Sequence, residues 1–162
     1  AGGRTDEGLE QMRQSLAARR ATGMHIMDSV MLGLLAQALG QAGEVEEGLQ
    51  ILDEAFSWVE ERDENFYTAE LYRIKGDLLQ CRGVETAIVE TTYWQAITLA
   101  RRQAAKSWEL RATISLAKLC RVQGRLSEAE SALSGVFEWF TEGFDTPDLR
   151  DALTLLAELK EG

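Results

Sequence analysis

Proline and histidine are almost absent from this sequence of 162 residues, which contains only Pro147 and His25. Proline interrupts helices, and its scarcity, together with the lack of any strand-like alternation of β-branched residues, favours an all-α fold. A single histidine does not make a metal site, because a metal ion usually needs three or four ligands. Cysteine occurs twice, and both Cys81 and Cys120 are predicted to be small apolar residues in a reducing cytosol.

Long apolar runs and clusters of basic charge are also missing. No stretch approaches the roughly 18 apolar residues of a membrane-spanning helix, and the N-terminus lacks the pattern of a signal peptide. The net charge is −10, whereas nucleic acids and anionic lipids bind clustered lysine and arginine. We therefore expect a cytoplasmic protein that binds neither nucleic acid nor membrane. The chain begins Ala-Gly-Gly without a methionine, so it is expected to be a piece of a longer protein or to carry the remnant of a tag.

Glycines that end apolar helical segments recur at a nearly constant interval. Gly43, Gly83 and Gly124 are 40 and 41 residues apart (83 − 43 and 124 − 83). Each suits the left-handed backbone that ends a helix, because glycine has no Cβ. Small residues lie seven positions before these glycines, at Ala36, Gly76 and Ala117. This regularity predicts a repeated helical hairpin whose helices approach closely.

The apolar periodicity predicts about eight helices in a single domain that covers residues 1–162. The predicted elements are a half-hairpin at 5–21, hairpins at about 24–62, 66–103 and 107–142, and a capping helix at 147–160. The half-hairpin lacks its first helix, so the apolar faces of Leu9 and Met12, and also those of Met24 and Met27, are expected to be uncovered.

Local signals predict where helices in the last third of the chain begin and end. Ser127 and Glu130 have the spacing of a capping box, so a helix is expected to open there. Gly143 is expected to end that helix. Thr146 and Pro147 are expected to be the cap and the first residue of the final helix, since proline's missing amide costs nothing at that position.

Three segments resemble a known group of proteins: AELYRIKGDLL at 69–79, WQAITLARRQAAKSWELRATISLAKL at 94–119 and WFTEGFDTPDL at 139–149. They are similar to the C-terminal tetratricopeptide region of multidomain bacterial signalling proteins, in which the repeats follow an AAA/STAND-type ATPase module. An adenylate or guanylate cyclase-like domain, or a DNA-binding transcriptional domain, often lies at the N-terminal end of such proteins. The resemblance implies a right-handed α-solenoid of tetratricopeptide-like hairpins.

The resemblance also implies which residues face the concave groove of the solenoid. In the family pattern these residues lie thirteen, ten, six and three positions before each turn glycine. They are Val30, Gly33, Gln37 and Gly40; then Glu70, Arg73, Asp77 and Gln80; and finally Arg111, Ile114, Lys118 and Arg121. The groove is thus predicted to change from neutral through mixed to basic. Its basic residues would receive an acidic peptide or loop, or alternatively pair with neighbouring glutamate and aspartate residues.

No catalytic arrangement of residues is predicted. The G-x-x-x-x-G-K-[ST] motif that holds nucleotide phosphates is absent. His25 and Asp28 could place two metal ligands on one helical face, but no third ligand is identified. Runs of carboxylates such as 60–64 are typical of solvated helix faces and loops.

The sequence therefore predicts a protein-interaction or regulatory scaffold without enzyme activity, cofactor or metal. We expect the groove to bind a peptide, or an upstream domain of its own parent protein. One alternative is a homo-oligomerisation module of a signalling ATPase or cyclase, formed through the apolar surface of the half-hairpin. The other alternative is an unrecognised enzyme.

Overall fold

The computed structural model describes residues 2–23, 25, 27–63 and 65–161, with side chains from residue 7 onward. Within these ranges the chain consists of eight α-helices and one short 3-10 helix, and it contains no strand. The prediction of an all-α protein with about eight helices is confirmed. The chain divides into two compact units, residues 1–85 and 86–162, and each is described by itself below.

The first unit is built around a helical hairpin that carries a further helix on it. Its α-helices are α1 (Gly2–Ala21), α2 (Asp28–Ala42), α3 (Val45–Arg62) and α4 (Thr68–Arg82), and the 3-10 helix is Asn65–Tyr67. Helices α2 and α3 pack against each other, α4 packs on both, and α1 packs on α2. The first full hairpin is predicted to begin at Met24, which lies outside the described residues. The first helix of that hairpin, α2, begins at Asp28.

The second unit is built around one central helix. Its helices are α5 (Thr86–Arg102), α6 (Lys106–Val122), α7 (Leu126–Phe137) and α8 (Pro147–Glu161). Helix α6 packs against α5, α7 and α8, which explains why Leu110, Leu116 and Ala117 are all buried. Helix α8 packs on α6 and α7, just as α4 packs on α2 and α3 in the first unit.

Residues with positive φ recur at the interval that the glycines predict. Gly43, Gly83 and Gly124 have φ values of 86°, 78° and 75°. A second series precedes α2, α4, α6 and α8, at Gly23 (74°), Asp63 (54°), Ala104 (53°) and Gly143 (76°). Left-handed backbone is unfavourable for residues with a Cβ, so Asp63 and Ala104 indicate that the turn itself requires this conformation. The same pair of turns therefore recurs along the chain.

Two predicted helix boundaries in the second unit are wrong. Helix α7 begins at Leu126, and its N-cap Arg125 makes no side-chain capping bond, so Ser127 and Glu130 do not form the expected capping box. The Arg125 guanidinium instead forms ion pairs with Glu128 of α7 and with Glu90 of α5. Gly143 does not end a helix, because α7 already ends at Phe137. The predicted start of the last helix at Pro147 is correct.

The expected exposure of Leu9 is also wrong. Leu9 is only 2% exposed, since α1 packs on α2. Leu16 is buried too, and Met12 is half-buried. Met27, which was also expected to be uncovered, is 46% exposed, and Met24 lies outside the described residues. The apolar surface on which the homo-oligomer alternative rested is therefore covered at Leu9 and exposed at Met27.

Candidate functional site

The residues predicted to line a groove divide between the two units. Gln37 lies on α2, and Glu70, Arg73, Asp77 and Gln80 lie on α4, all within the first unit. Arg111, Lys118 and Arg121 lie on α6 in the second unit. The two groups are therefore built up separately.

A cleft between α2 and α4 brings Gln37 and Asp77 together with a third predicted position, Gly40. Gln37 and Asp77 both line this cleft, whose volume is about 160 Å³. The other lining residues are Gly40, Gln41, Ile74, Leu78 and Cys81. An apolar cavity of this order can hold a benzene-sized group. The cleft thus combines an apolar floor with the side-chain amides of Gln37 and Gln41, which lie one helical turn apart.

Glycines on α2 allow α4 to approach closely enough to form this cleft. A Cβ added at Gly33 would lie 2.8 Å from Leu71 Cδ2 and 2.9 Å from Tyr67 Cε1. A Cβ at Gly40 would collide with Leu78. Side chains of α4 therefore lie against both glycines; Gly33 does not line the cleft, whereas Gly40 and Gln37 do.

A buried ion pair on α4 supports the acidic side of the cleft. Arg73 is 7% exposed and Glu70 1% exposed, and the Arg73 Nη2 group donates to the Glu70 carboxylate at 2.8 Å. The Arg73 Nη1 group donates to Asp77, whose side chain is 38% exposed. Burial alone lowers the pKa of Arg73, but the hydrogen bond to Glu70 and the charges of Glu70 and Asp77 raise it overall. Arg73 is therefore a fixed cation that orients Asp77.

The predicted groove residues of α2 and α4 thus lie at different depths. Glu70 and Arg73 are beneath the surface, whereas Gln37 and Asp77 reach the cleft. Gln80 is exposed and does not line it. The predicted positions that line the cleft are therefore Gln37, Gly40 and Asp77.

The basic residues of α6 face acidic residues of α8. The Arg111 Nε group donates to Asp148 at 2.7 Å, and Arg121 forms an ion pair with Glu158. Lys118 is exposed and makes no ion pair among the residues that the structure describes. Ile114, the fourth predicted position on this helix, is only 6% exposed. Arg111 and Arg121 thus adopt the pairing that the sequence left open as an alternative.

Sequence reasoning missed most of the cleft. Gln41, Ile74, Leu78 and Cys81 line it without lying at the family's groove positions. One available signal was the pair of glycines at Gly33 and Gly40, seven residues apart in an otherwise apolar helix. Such a spacing indicates close contact with another helix, and the neighbouring polar residues Gln37 and Gln41 then mark the edge of that contact.

Metal-binding groups and membrane-spanning helices were also considered for the described residues. No group of three or more histidine, cysteine, aspartate or glutamate side chains there could hold a metal ion. None of the described helices is both long enough and apolar enough to cross a membrane.

Comparison with known proteins leaves the family open. No protein-family model matches the sequence, and no curated protein matches it. The similarity to the tetratricopeptide region of signalling ATPases therefore stays a prediction from the segments quoted above.

Proposed function

We propose that this chain is a non-catalytic protein-interaction module, in which helical hairpins stack as a right-handed α-solenoid of tetratricopeptide type. The observation that carries the proposal is the double series of positive-φ turns, each repeating after about 40 residues. The shared packing of α4 on α2 and α3, and of α8 on α6 and α7, supports it. Repeats of this kind present extended surfaces to other polypeptides.

We further propose that the module is the C-terminal, cytoplasmic repeat region of a bacterial signalling protein with an AAA/STAND-type ATPase. This part rests on the resemblance of residues 69–79, 94–119 and 139–149. Its ligand would then be a peptide, or an upstream domain of the same protein.

The α2/α4 cleft is the proposed point of peptide contact. The amides of Gln37 and Gln41 can each donate to and accept from a peptide backbone, and the floor of Ile74 and Leu78 can receive one apolar side chain. Asp77 is held in place by Arg73, so the polar rim is preorganised.

Peptide selection tests this proposal. The chain is immobilised and used to select peptides from a displayed random library, and the affinity of a selected peptide is measured by fluorescence anisotropy. We expect the double substitution Gln37→Ala/Gln41→Ala to weaken binding by about tenfold or more, because each lost backbone hydrogen bond contributes about 1 kcal/mol. Substituting Cys81→Trp, which fills the cleft, should abolish binding.

The matched control is Gln50→Ala, which removes an exposed amide from α3 outside the cleft. This variant should bind the selected peptide as the original chain does. A library that yields no binder, or a selected peptide that tolerates both cleft variants, would count against the proposed site.

A further inference from the structure

Helix α1 is attached to the α2/α3 hairpin by few apolar contacts and by opposite charge. Among its described side chains, only Leu9 and Leu16 are buried. Residues 11–21 contain three arginines and no acidic side chain, whereas residues 28–63 contain nine acidic side chains and one basic. The basic half of α1 is therefore attracted to the hairpin as a whole, in addition to the individual ion pairs described next.

Arg13 bridges two carboxylates at the start of α3. Its Nη2 atom lies 2.6 Å from Glu47 Oε1 and 3.5 Å from Glu44 Oε2. The hydrogen bond from Arg13 holds the pKa of the Glu47 carboxyl below its ordinary value of 4.5. The three side chains are between 36% and 43% exposed, so dissolved salt screens their attraction.

Arg20 makes a second bridge, and one of its partners is buried. Its Nη2 atom lies 2.6 Å from Glu54 Oε1, and its Nε atom lies 3.4 Å from Asp28 Oδ2, which His25 also reaches at 3.2 Å. Asp28 is 0% exposed, and its Oδ1 atom accepts no hydrogen bond from the residues that the structure describes. A buried carboxylate with an unsatisfied oxygen is costly, and this cost opposes the docked position of α1.

Docking is also what keeps α1 helical. Its 20 residues include Gly2, Gly3 and Gly8, and glycine has a low helix propensity. An isolated helix of this length is only marginally stable in water. A segment with so little buried apolar surface opens more readily than the core of its unit, so α1 should lose its helix when it leaves the hairpin.

We propose that α1 is an electrostatic strap, which docks on the α2/α3 hairpin and leaves it as a unit while α2, α3 and α4 stay folded. Ionic strength sets the docked fraction, because salt screens both arginine bridges and the attraction of α1 to the acidic hairpin. Release uncovers the surface that Leu9 and Leu16 now cover. The strap uses no residue of the α2/α4 cleft, so it can fail without affecting the proposed peptide site.

Amide hydrogen exchange of the full chain, followed by mass spectrometry, tests the strap. It is measured at about 0.01 M and about 1 M sodium chloride, between which the screening length falls from about 30 Å to about 3 Å. We expect α1 to exchange faster than α3 in both solutions. Its exchange should accelerate by about fivefold or more at the higher concentration, whereas that of α3 should stay the same.

Substitution of the two arginines should have unequal effects at low salt. Arg20→Gln should accelerate exchange in α1 by about tenfold or more, because it takes a cation from buried Asp28. Arg13→Gln should accelerate it by about threefold, since the partners of Arg13 are exposed to water. The charge swap Arg13→Glu/Glu47→Arg should restore slow exchange, which it would not do if Arg13 contributed only helix propensity.

The matched control is Arg82→Gln, which removes the 2.9 Å ion pair with Glu46 between α4 and α3 and does not involve α1. This variant should leave the exchange of α1 unchanged, and circular dichroism confirms that each variant is folded. If α1 exchanges as slowly as α3 in both solutions, it belongs to the permanent core and the proposal is wrong. Exchange in α1 that responds neither to salt nor to Arg20→Gln would equally overturn it.

Discussion

Helix pairs α2/α4 and α6/α8 are equivalent in the repeat, but different interactions hold them together. In α2/α4, Gly33 and Gly40 let Tyr67, Leu71 and Leu78 lie directly over the α2 backbone. Gly33 and Gly40 lie ten and three positions before the turn glycine Gly43, and in α6 the equivalent positions before Gly124 are occupied by Ile114 and Arg121. Ile114 is buried, and Arg121 reaches Glu158. The residue type at these two positions therefore decides between close backbone approach and side-chain contact.

The turns that lead into α2, α4 and α6 also differ in the interactions that hold them. In the first turn of α6, Glu109 is 3% exposed and accepts hydrogen bonds from Arg101 of α5 and from Lys106, both at 2.7 Å. At the start of α2, Asp28 is paired with Arg20 of α1 at 3.4 Å and lies 3.2 Å from His25. The corresponding residues around the start of α4 are Glu60, Asn65 and Thr68, which cannot form such a charge cluster. The turn nevertheless has the same positive φ, so the charge cluster adds to the junction without determining its backbone.

The largest effects on stability are expected from exchanging Gly33 of α2 and Ile114 of α6, the equivalent residues that distinguish the two helix pairs. Ile114→Gly should destabilise the chain by about 4 kcal/mol, because it leaves a cavity and places glycine in a helix. Gly33→Ile should cost about 2 kcal/mol, since its side chain would overlap Leu71 and Tyr67. Urea denaturation monitored by circular dichroism measures both. Gly135→Ala is the control, because a Cβ there meets no atom within 4 Å and should be neutral or slightly stabilising. A tolerated Gly33→Ile would show that close approach is not required.

Acidification is expected to have an effect of intermediate size on stability. This effect should differ between the turn into α6, which has a charge cluster, and the turn into α4, which has none. Burial by itself raises the pKa of Glu109, but the hydrogen bonds from Arg101 and Lys106 lower it below its ordinary value of 4.5. The stability that this carboxylate contributes is therefore present above that value and is lost as the pH falls through the folded-state pKa. We expect Glu109→Gln to reduce the loss of unfolding free energy between about pH 6 and about pH 3.

The control for acidification is Glu60→Gln, at the turn without a charge cluster. It should leave the acid dependence unchanged. Part of that dependence should remain in Glu109→Gln, because Arg125 also lowers the pKa of Glu90. If both variants lose stability with pH as the original chain does, Glu109 does not contribute to acid sensitivity.

The smallest effect is expected from the ion pairs between α6 and α8. Arg111 and Arg121 have side chains that are 43% and 40% exposed, so water screens their attraction to Asp148 and Glu158. The double variant Arg111→Met/Arg121→Met should therefore lose about 1 kcal/mol or less in urea denaturation. A loss of several kcal/mol would mean that charge rather than apolar burial holds α8 in place.

The sequence was sufficient to predict the helices and less informative about their ends. The interval between Gly43, Gly83 and Gly124 located the turns correctly, because positive φ favours glycine strongly. The turns at Asp63 and Ala104 carry no such signal, since their conformation is imposed by the helices on either side. The capping box predicted at Ser127 is absent because α7 begins one residue earlier, at Leu126, which places Ser127 inside the helix; the N-cap Arg125 pairs with Glu90 and Glu128.

The candidate site was predicted only in part for a related reason. The family's groove positions, implied by the resemblance, included Gln37 and Asp77, so these two could be found. These positions do not reveal which faces are covered, and Glu70 and Arg73 proved to be buried. Arg111 and Arg121 proved to be paired with a helix more than 25 residues further along the chain, a distance at which sequence spacing carries no information.

The all-α character and the repeat interval follow from the sequence itself, because they depend on local propensity, apolar periodicity and the special backbone of glycine. The covering of α1's apolar face and the burial of Glu70 and Arg73 depend on which helices meet. Only the tertiary structure decides that, since it is set by packing between segments that are distant in the chain.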